Sequence, residues 1–304
     1  MGLGKTIQTL SLLMKLKEQR KLLQPSLIIV PTSLIGNWKV EIEKFTPKLK
    51  YLALYGNDRG IKFRDIDKVD IVFTTYNLVV RDFEFLEKKS FEYIILDEAQ
   101  KIKNPTSKAT QIIKRLNSNY KLALSGTPIE NHLGELWSLF SFIMPGFLDN
   151  YKFFKKYYQN PIEKDKNFDR KILLHKRIKP FLLRRTKEKV ATELPEKVEI
   201  IKYAEFSENE MKLYESIRIM MDKKVQEAIL KNGLNRSQII VLDALLKLRQ
   251  VCCHPQLLKV EEAKTIKRSA KLELFLELVE DLIEEGRKIL VFSQFTSMIK
   301  IIQT

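Results

Sequence analysis

Two short stretches hold residue types that do more chemistry together than apart. The first is M-G-L-G-K-T at residues 1–6. Gly2 and Gly4 let backbone N–H groups approach an anion, Lys5 adds an ammonium, and Thr6 adds a hydroxyl. Ile7, Leu10, Leu13, Met14 and Leu16 follow at helical spacing, so the glycines sit at a helix N-terminus, whose partial positive charge favours phosphate. The pattern is the second half of G-x-x-x-x-G-K-[ST], in which Lys reaches the β and γ phosphates and the hydroxyl meets Mg²⁺. The second stretch is F-E-Y-I-I-L-D-E-A-Q-K-I-K-N at residues 91–104. Tyr93 to Leu96 reads as a strand buried on both faces, and Asp97 and Glu98 follow at once. Carboxylates there are costly to desolvate unless a cation or donor meets them, and ligands of open α/β sheets bind at that strand edge. Taken singly, each stretch also reads as a glycine-rich helix start or an acidic turn. Together they imply hydrolysis of a nucleoside triphosphate, with one acid for Mg²⁺ and a second to position water.

The surrounding chain supplies elements to position these groups. Leu27 to Val30 reads as a strand ending in Pro31-Thr32-Ser33, followed by a helix over Leu34 to Phe45. Tyr51 to Tyr55 is a strand with Gly56-Asn57-Asp58 as its turn. Ile71 to Phe73 is another, ending in Thr74-Thr75-Tyr76, and Tyr120 to Leu124 ends in Ser125-Gly126-Thr127-Pro128. Strand–helix alternation with right-handed crossovers gives a mostly parallel sheet, with these polar clusters on one edge. Each Ser/Thr cluster singly is as well read as a cap or turn.

Glu130 to Phe142 is a helix broken by Pro145-Gly146. Residues 151–185 interleave Lys with Phe and Tyr, as a helical subdomain or a clasp for a nucleic-acid strand. Arg184-Arg185 suits phosphate or carboxylate, or surface ion pairs. After the crossing Leu194-Pro195-Glu196-Lys197, Val198 to Tyr203 reads as a strand. Ser207 and Glu210 form a capping box opening a helix to Lys231, with Gly233 at its end. A helix over Leu242 to Val251 enters Cys252-Cys253-His254-Pro255, a buried turn rather than a zinc site, since no second ligand pair exists. A helix over Leu272 to Ile283 stops at Gly286, and Ile289 to Phe292 reads as a strand. The chain divides into residues 1–145, 146–265 and 266–304.

Composition sets the class. The chain has 304 residues, 44% hydrophobic and 30% charged, enough for more than one core and not disordered. No apolar run reaches about 18 residues. The paired cysteines suit a reducing compartment. A net charge of +16 favours a polyanion such as nucleic acid, although a lysine-rich source would also give basic surfaces.

In this order the motifs resemble those of superfamily 2 helicase-like ATPases, most closely the Swi2/Snf2-type DNA translocases. The resemblance spans nearly the whole chain. It rests on M-G-L-G-K-T, I-I-V-P-T-S-L-I-G-N-W, T-T-Y, I-I-L-D-E-A-Q-K-I-K-N, L-S-G-T-P-I-E-N-H-L-G-E-L-W-S-L, F-L-L-R-R-T-K-E-K-V, L-R-Q-V-C-C-H-P and I-L-V-F-S-Q-F-T. It implies an α/β fold: a RecA-like lobe with a parallel sheet, a helical insertion, and the start of a second RecA-like lobe. It implies ATP and Mg²⁺ as ligands and duplex DNA as partner, with DNA-bound proteins such as RNA polymerase as remodelling targets. Gly2, Gly4, Lys5, Thr6 and Gln100 would contact nucleotide, Thr6 and Asp97 would hold Mg²⁺, and Glu98 would polarise water. Ser125, Gly126 and Thr127 would couple hydrolysis to lobe movement, and Pro31, Thr32, Ser33, Thr74, Thr75 and Tyr76 would face DNA. Gln100 stands where the family's acid box often has His.

Against the family pattern the chain begins inside the phosphate loop and ends at the first strand motif of the second lobe. That implies a fragment with weak or no hydrolysis of its own, since an arginine finger is worth about 10³ to 10⁵ in rate. A non-catalytic remnant that binds DNA or protein, and an RNA-directed helicase, are the rival expectations. The short insertions and lysine-rich composition point to a bacterial cytoplasm, at the nucleoid; a eukaryotic source would make the chain nuclear.

Overall fold

The computed structural model describes residues 3–56, 59–126, 132–190, 193, 195, 197–266 and 269–303. Gly2, Asn57, Asp58, Thr127, Pro128, Glu130, Leu194 and Glu196, all singled out above, lie outside these. The chain forms two compact units, residues 1–195 and 196–304.

In the first unit, helix α1 (Lys5–Glu18) precedes strand β1 (Ser26–Val30). A short 3₁₀ turn, Thr32–Leu34, then leads into α2 (Ile35–Phe45) and β2 (Tyr51–Ala53). Next come β3 (Ile71–Thr75), α3 (Tyr76–Arg81), β4 (Ser90–Leu96), α4 (Lys108–Arg115), β5 (Asn117–Ala123) and α5 (Leu133–Ile143). The five strands are ordered β2-β3-β1-β4-β5 and every pairing is parallel. All their carboxyl ends therefore share one edge.

Side chains alternate across a strand, and β1 divides the core accordingly. Leu27 and Ile29 join Val72, Ile94 and Leu96 on one face, under Val79 of α3 and Ile113 of α4. Ile28 and Val30 join Phe73 and Ile95 on the other, under Leu10 and Leu13 of α1 and Trp38 and Ile42 of α2. This explains the unbroken apolar runs of the central strands, since a sheet covered on both faces has no polar side.

Helix α5 is apolar nearly all round because it serves two cores. Leu139 and Phe142 pack toward the sheet. Leu136 and Phe140 meet Phe154, Tyr158, Leu174 and Ile178 of a helical subdomain, whose longest member is α6 (Phe168–Ile178). The region of interleaved Lys and aromatic residues is thus built as a helical subdomain. Arg184 and Arg185, which follow it, are exposed.

The second unit is helical. It contains α7 (Glu208–Asn232), α8 (Leu234–Cys253), α9 (Ala270–Glu284) and α10 (Thr296–Gln303). The expected capping box is formed, with Ser207 and Glu210 bonding reciprocally. Gly233 and Gly286 end their helices at φ +75° and +71°, conformations that glycine adopts without a Cβ penalty. Two strand expectations fail. Val198 to Tyr203 and Ile289 to Phe292 are not strands, and Ile200, Tyr203, Leu290 and Phe292 are 74%, 85%, 84% and 87% exposed. A β-branched run becomes a strand only where a neighbour takes its backbone bonds, and neither has one among the described residues. Among those residues no helix is long and apolar enough to cross a membrane.

Candidate functional site

The carboxyl edge of the sheet gathers most of the residues expected to do chemistry. Gly4 sits just before α1 at φ +73°, ψ 27°, a left-handed conformation that glycine adopts without a Cβ penalty. It turns the chain so that α1 opens on Lys5 and Thr6, both half-buried. Lys5 reaches the end of β5: a Cβ built on Gly126 would lie 3.9 Å from its Nζ. The ammonium and the Ser125-Gly126 segment, 120 residues apart in sequence, thus share one site.

Asp97 and Glu98 follow β4 directly. The Asp97 N–H donates to Ile29 O at 2.9 Å, carrying the β1–β4 ladder to the site. The Asp97 side chain is buried, 6% exposed, yet both its oxygens are satisfied. Oδ2 accepts from Trp38 Nε1 at 2.9 Å and Oδ1 from the Glu98 backbone N–H at 2.9 Å. Tyr76 donates its hydroxyl to the Asp97 carbonyl at 2.7 Å. Burial, reinforced by the nearby charges of Asp97 and Glu98, holds the Tyr76 phenol far above its ordinary pKa, so it stays a donor.

Glu98 adopts φ +50°, ψ 53°, a left-handed conformation costing a non-glycine residue about 1 kcal/mol or more. It turns the chain sharply off β4. The Glu98 carboxylate accepts from Gln100 Nε2 at 2.6 Å, and the Gln100 amide oxygen accepts from Ser125 Oγ at 3.0 Å. Ala99 N–H bonds Leu124 O at 2.9 Å, tying the same two loops through the backbone. Glu98, Gln100 and Ser125 form a continuous chain from the second acid to the end of β5.

The segments expected to face DNA behave differently from each other. Pro31 is half-buried while Thr32 and Ser33 are exposed at the end of β1. Thr74, Thr75 and Tyr76 are 0%, 6% and 8% exposed. Thr75 caps α3 by accepting from Leu78 N–H, Tyr76 braces Asp97, and the Thr74 hydroxyl is buried with no hydrogen-bond partner. These three side chains are buried: Thr74 and Thr75 end β3, an interior strand covered on both faces, and Tyr76 opens α3 against Asp97. Gln100 bonds Glu98 and Ser125 where a nucleotide contact was expected.

Sequence reading missed Trp38 as a partner of Asp97. Its helical spacing marks it as a core residue, which it is at 1% exposure; a signal lay in the indole itself, since a buried Trp N–H needs an acceptor. The oxygen donors at the site, the Thr6 hydroxyl and the Asp97 and Glu98 carboxylates, are of the kind a hard divalent cation takes. Lys5 and the helix N-terminus carry positive charge of the kind a phosphate takes.

Comparison with known proteins agrees with this geometry. The SNF2-related domain family matches residues 1–257. An uncharacterized ATP-dependent helicase of Mycoplasma genitalium is 39% identical over 301 residues, covering 98% of this chain and 28% of that protein. The ISWI chromatin-remodeling complex ATPase ISW1 of Saccharomyces cerevisiae is 34% identical over 320 residues, covering 100% of this chain and again 28% of the relative. Among solved structures, the Sulfolobus solfataricus SWI2/SNF2 ATPase core in complex with dsDNA is 37% identical. It aligns over 99% of this chain and 63% of that one, with a TM-score of 0.61. This chain thus spans little more than a quarter of those two relatives' length. With family, sequence and fold in agreement, the chain belongs to the SNF2-related family, and its sheet is that of a SWI2/SNF2 ATPase core.

Proposed function

We propose that this chain provides the ATP-binding lobe of a motor that couples ATP hydrolysis to movement along duplex DNA. The observation that carries the reading is the convergence of Lys5, Asp97, Glu98 and Ser125 on one sheet edge through parallel strands. Lys5 and the α1 N-terminus neutralise the nucleotide phosphates, aided by Gly2 and Gly4. Thr6 and Asp97 fit Mg²⁺: both offer oxygen, and each Asp97 oxygen keeps a lone pair beyond its bond to Trp38 or Glu98. Held there, Mg²⁺ would supply positive charge to offset the charge developing on the transferred phosphoryl group. Glu98 orients and polarises the attacking water, and Gln100 sets its carboxylate. A change in the Glu98 environment on hydrolysis passes along Gln100 to Ser125, Gly126 and Thr127, the coupling segment.

Thr32 and Ser33, exposed beside Pro31, contact the DNA backbone, while Thr74, Thr75 and Tyr76 shape that edge from within. The net charge of +16 supports a polyanionic partner, with DNA-bound proteins such as RNA polymerase as the objects moved. The organisation follows as an ATP-binding lobe over residues 1–145, a family-specific helical region over 146–265 and the start of a second lobe from 266. A bacterial source would place the work at the nucleoid.

The test is ATP hydrolysis by the chain, extended by whatever coding sequence flanks it, with duplex DNA or single-stranded RNA added. Duplex DNA is expected to stimulate more, less so as salt rises, with Lys5→Ala and Glu98→Gln abolishing turnover. Stimulation by RNA alone, or turnover indifferent to both substitutions, would refute the reading.

A further inference from the structure

We propose that Trp38 is a positioning residue that ties the exposed Thr32–Ser33 segment to the Asp97 carboxylate, so that a contact at one is felt at the other. The inference rests on the ATP and DNA reading above and goes beyond it in naming the link.

The Trp38 ring is fixed on all sides. It is 1% exposed, packs among Ile28, Ile42 and Ile95, and meets the Phe73 ring at 5.8 Å between centroids. Packing alone would be served by Phe or Leu. The indole N–H is instead directed at Asp97 Oδ2, at 2.9 Å across 59 residues of sequence. Of the two bonds to the Asp97 carboxylate, the one from Glu98 N–H is local to the turn. The bond from Trp38 comes from another element, so the carboxylate's orientation follows the position of α2.

Helix α2 has its other end of interest close by. Trp38 lies in its first turn, and the 3₁₀ turn Thr32–Leu34 runs directly into Ile35. Leu34 N–H bonds Pro31 O at 2.9 Å, so Pro31 to Trp38 is one continuous hydrogen-bonded piece. A helical segment of this length moves as a unit, and Thr32 and Ser33 are its exposed residues nearest the sheet edge. A phosphate backbone held there biases α2, and α2 biases Asp97. Coupling of this kind is reciprocal: if DNA raises affinity for the metal–nucleotide pair, that pair raises affinity for DNA by the same factor. Groups that orient a metal ligand typically matter about 10- to 100-fold in metal affinity.

Two measurements test this. First, a fluorescent ATP analogue is titrated onto the chain and onto Trp38→Phe at varied Mg²⁺, with and without duplex DNA. Trp38→Phe keeps the ring and removes the N–H, so half-maximal binding is expected to need about tenfold more Mg²⁺, with the effect of DNA on that value reduced. Second, in a Trp137→Phe chain Trp38 is the sole tryptophan, and its emission is expected to shift on adding Mg²⁺ with ATP, and on adding duplex DNA alone. This readout needs no change at Trp38 and stands if Trp38→Phe fails to fold. Unchanged Mg²⁺ dependence in a folded Trp38→Phe, or silent Trp38 emission while the analogue binds, overturns the link and leaves the ATP reading intact. If the analogue binds neither protein, the ATP reading falls and the link falls with it.

Discussion

The Asp97 carboxylate shows why particular atoms rather than residue types decide this site. It is buried, and burial of a charge is tolerable only with donors in place. Trp38 and the Glu98 N–H supply them, and Tyr76 fixes the backbone beneath. Tyr76→Phe removes only that hydroxyl and leaves the Asp97 carbonyl without its partner. We predict a stability loss of about 1–2 kcal/mol by urea denaturation, with the slope against denaturant unchanged; an unaltered midpoint would mean that this bond contributes nothing. The left-handed Glu98 is the other atomic feature, a strain that local sequence does not announce and that the Gln100 and Ser125 bonds hold in place.

At the scale of elements, His254 gives the clearest consequence. It follows α8, is 0% exposed, and accepts from Gln256 N–H at 3.2 Å through Nδ1, while Nε2 is buried without a partner. Burial lowers its pKa below the ordinary imidazole value, against the pull of Glu210. The unfolded chain therefore takes up a proton first as pH falls, so this contribution to stability is full above about pH 6.5 and is lost below it, toward the depressed folded value. The thermal midpoint of the chain is expected to fall between pH 7.5 and 5.5, and His254→Gln is expected to flatten that dependence. An equal slope in the variant would show that other groups govern it.

The strands of the first unit were legible because their apolar runs are buried on both faces, and the Ser207–Glu210 box because its logic is local. The failed strands at 198–203 and 289–292 are also rich in β-branched and aromatic residues; what they lack is a pairing partner among the described residues, and no local pattern encodes that. The spacing of Leu34, Trp38, Ile42 and Phe45 predicts a helix and nothing about the indole N–H. Its bond to Asp97 spans 59 residues and depends on how β1 and β4 lie side by side, which spacing along one helix does not contain.

For the whole molecule, the parallel sheet turns residues scattered from Lys5 to Gly126 into one edge. The order β2-β3-β1-β4-β5 places β1 beside β4, so the exposed Thr32 and Ser33 and the acids Asp97 and Glu98 emerge from neighbouring strands. The proposed DNA and ATP contacts are therefore adjacent by topology. Whether this edge binds ATP is measured by calorimetric titration of ATP with Mg²⁺ into the chain, Lys5→Ala and Glu98→Gln. The chain and Glu98→Gln are expected to bind at similar affinity, and Lys5→Ala to lose about tenfold or more, the scale of one charged hydrogen bond. Equal binding by Lys5→Ala, or no binding by the unaltered chain, would contradict ATP binding at this edge.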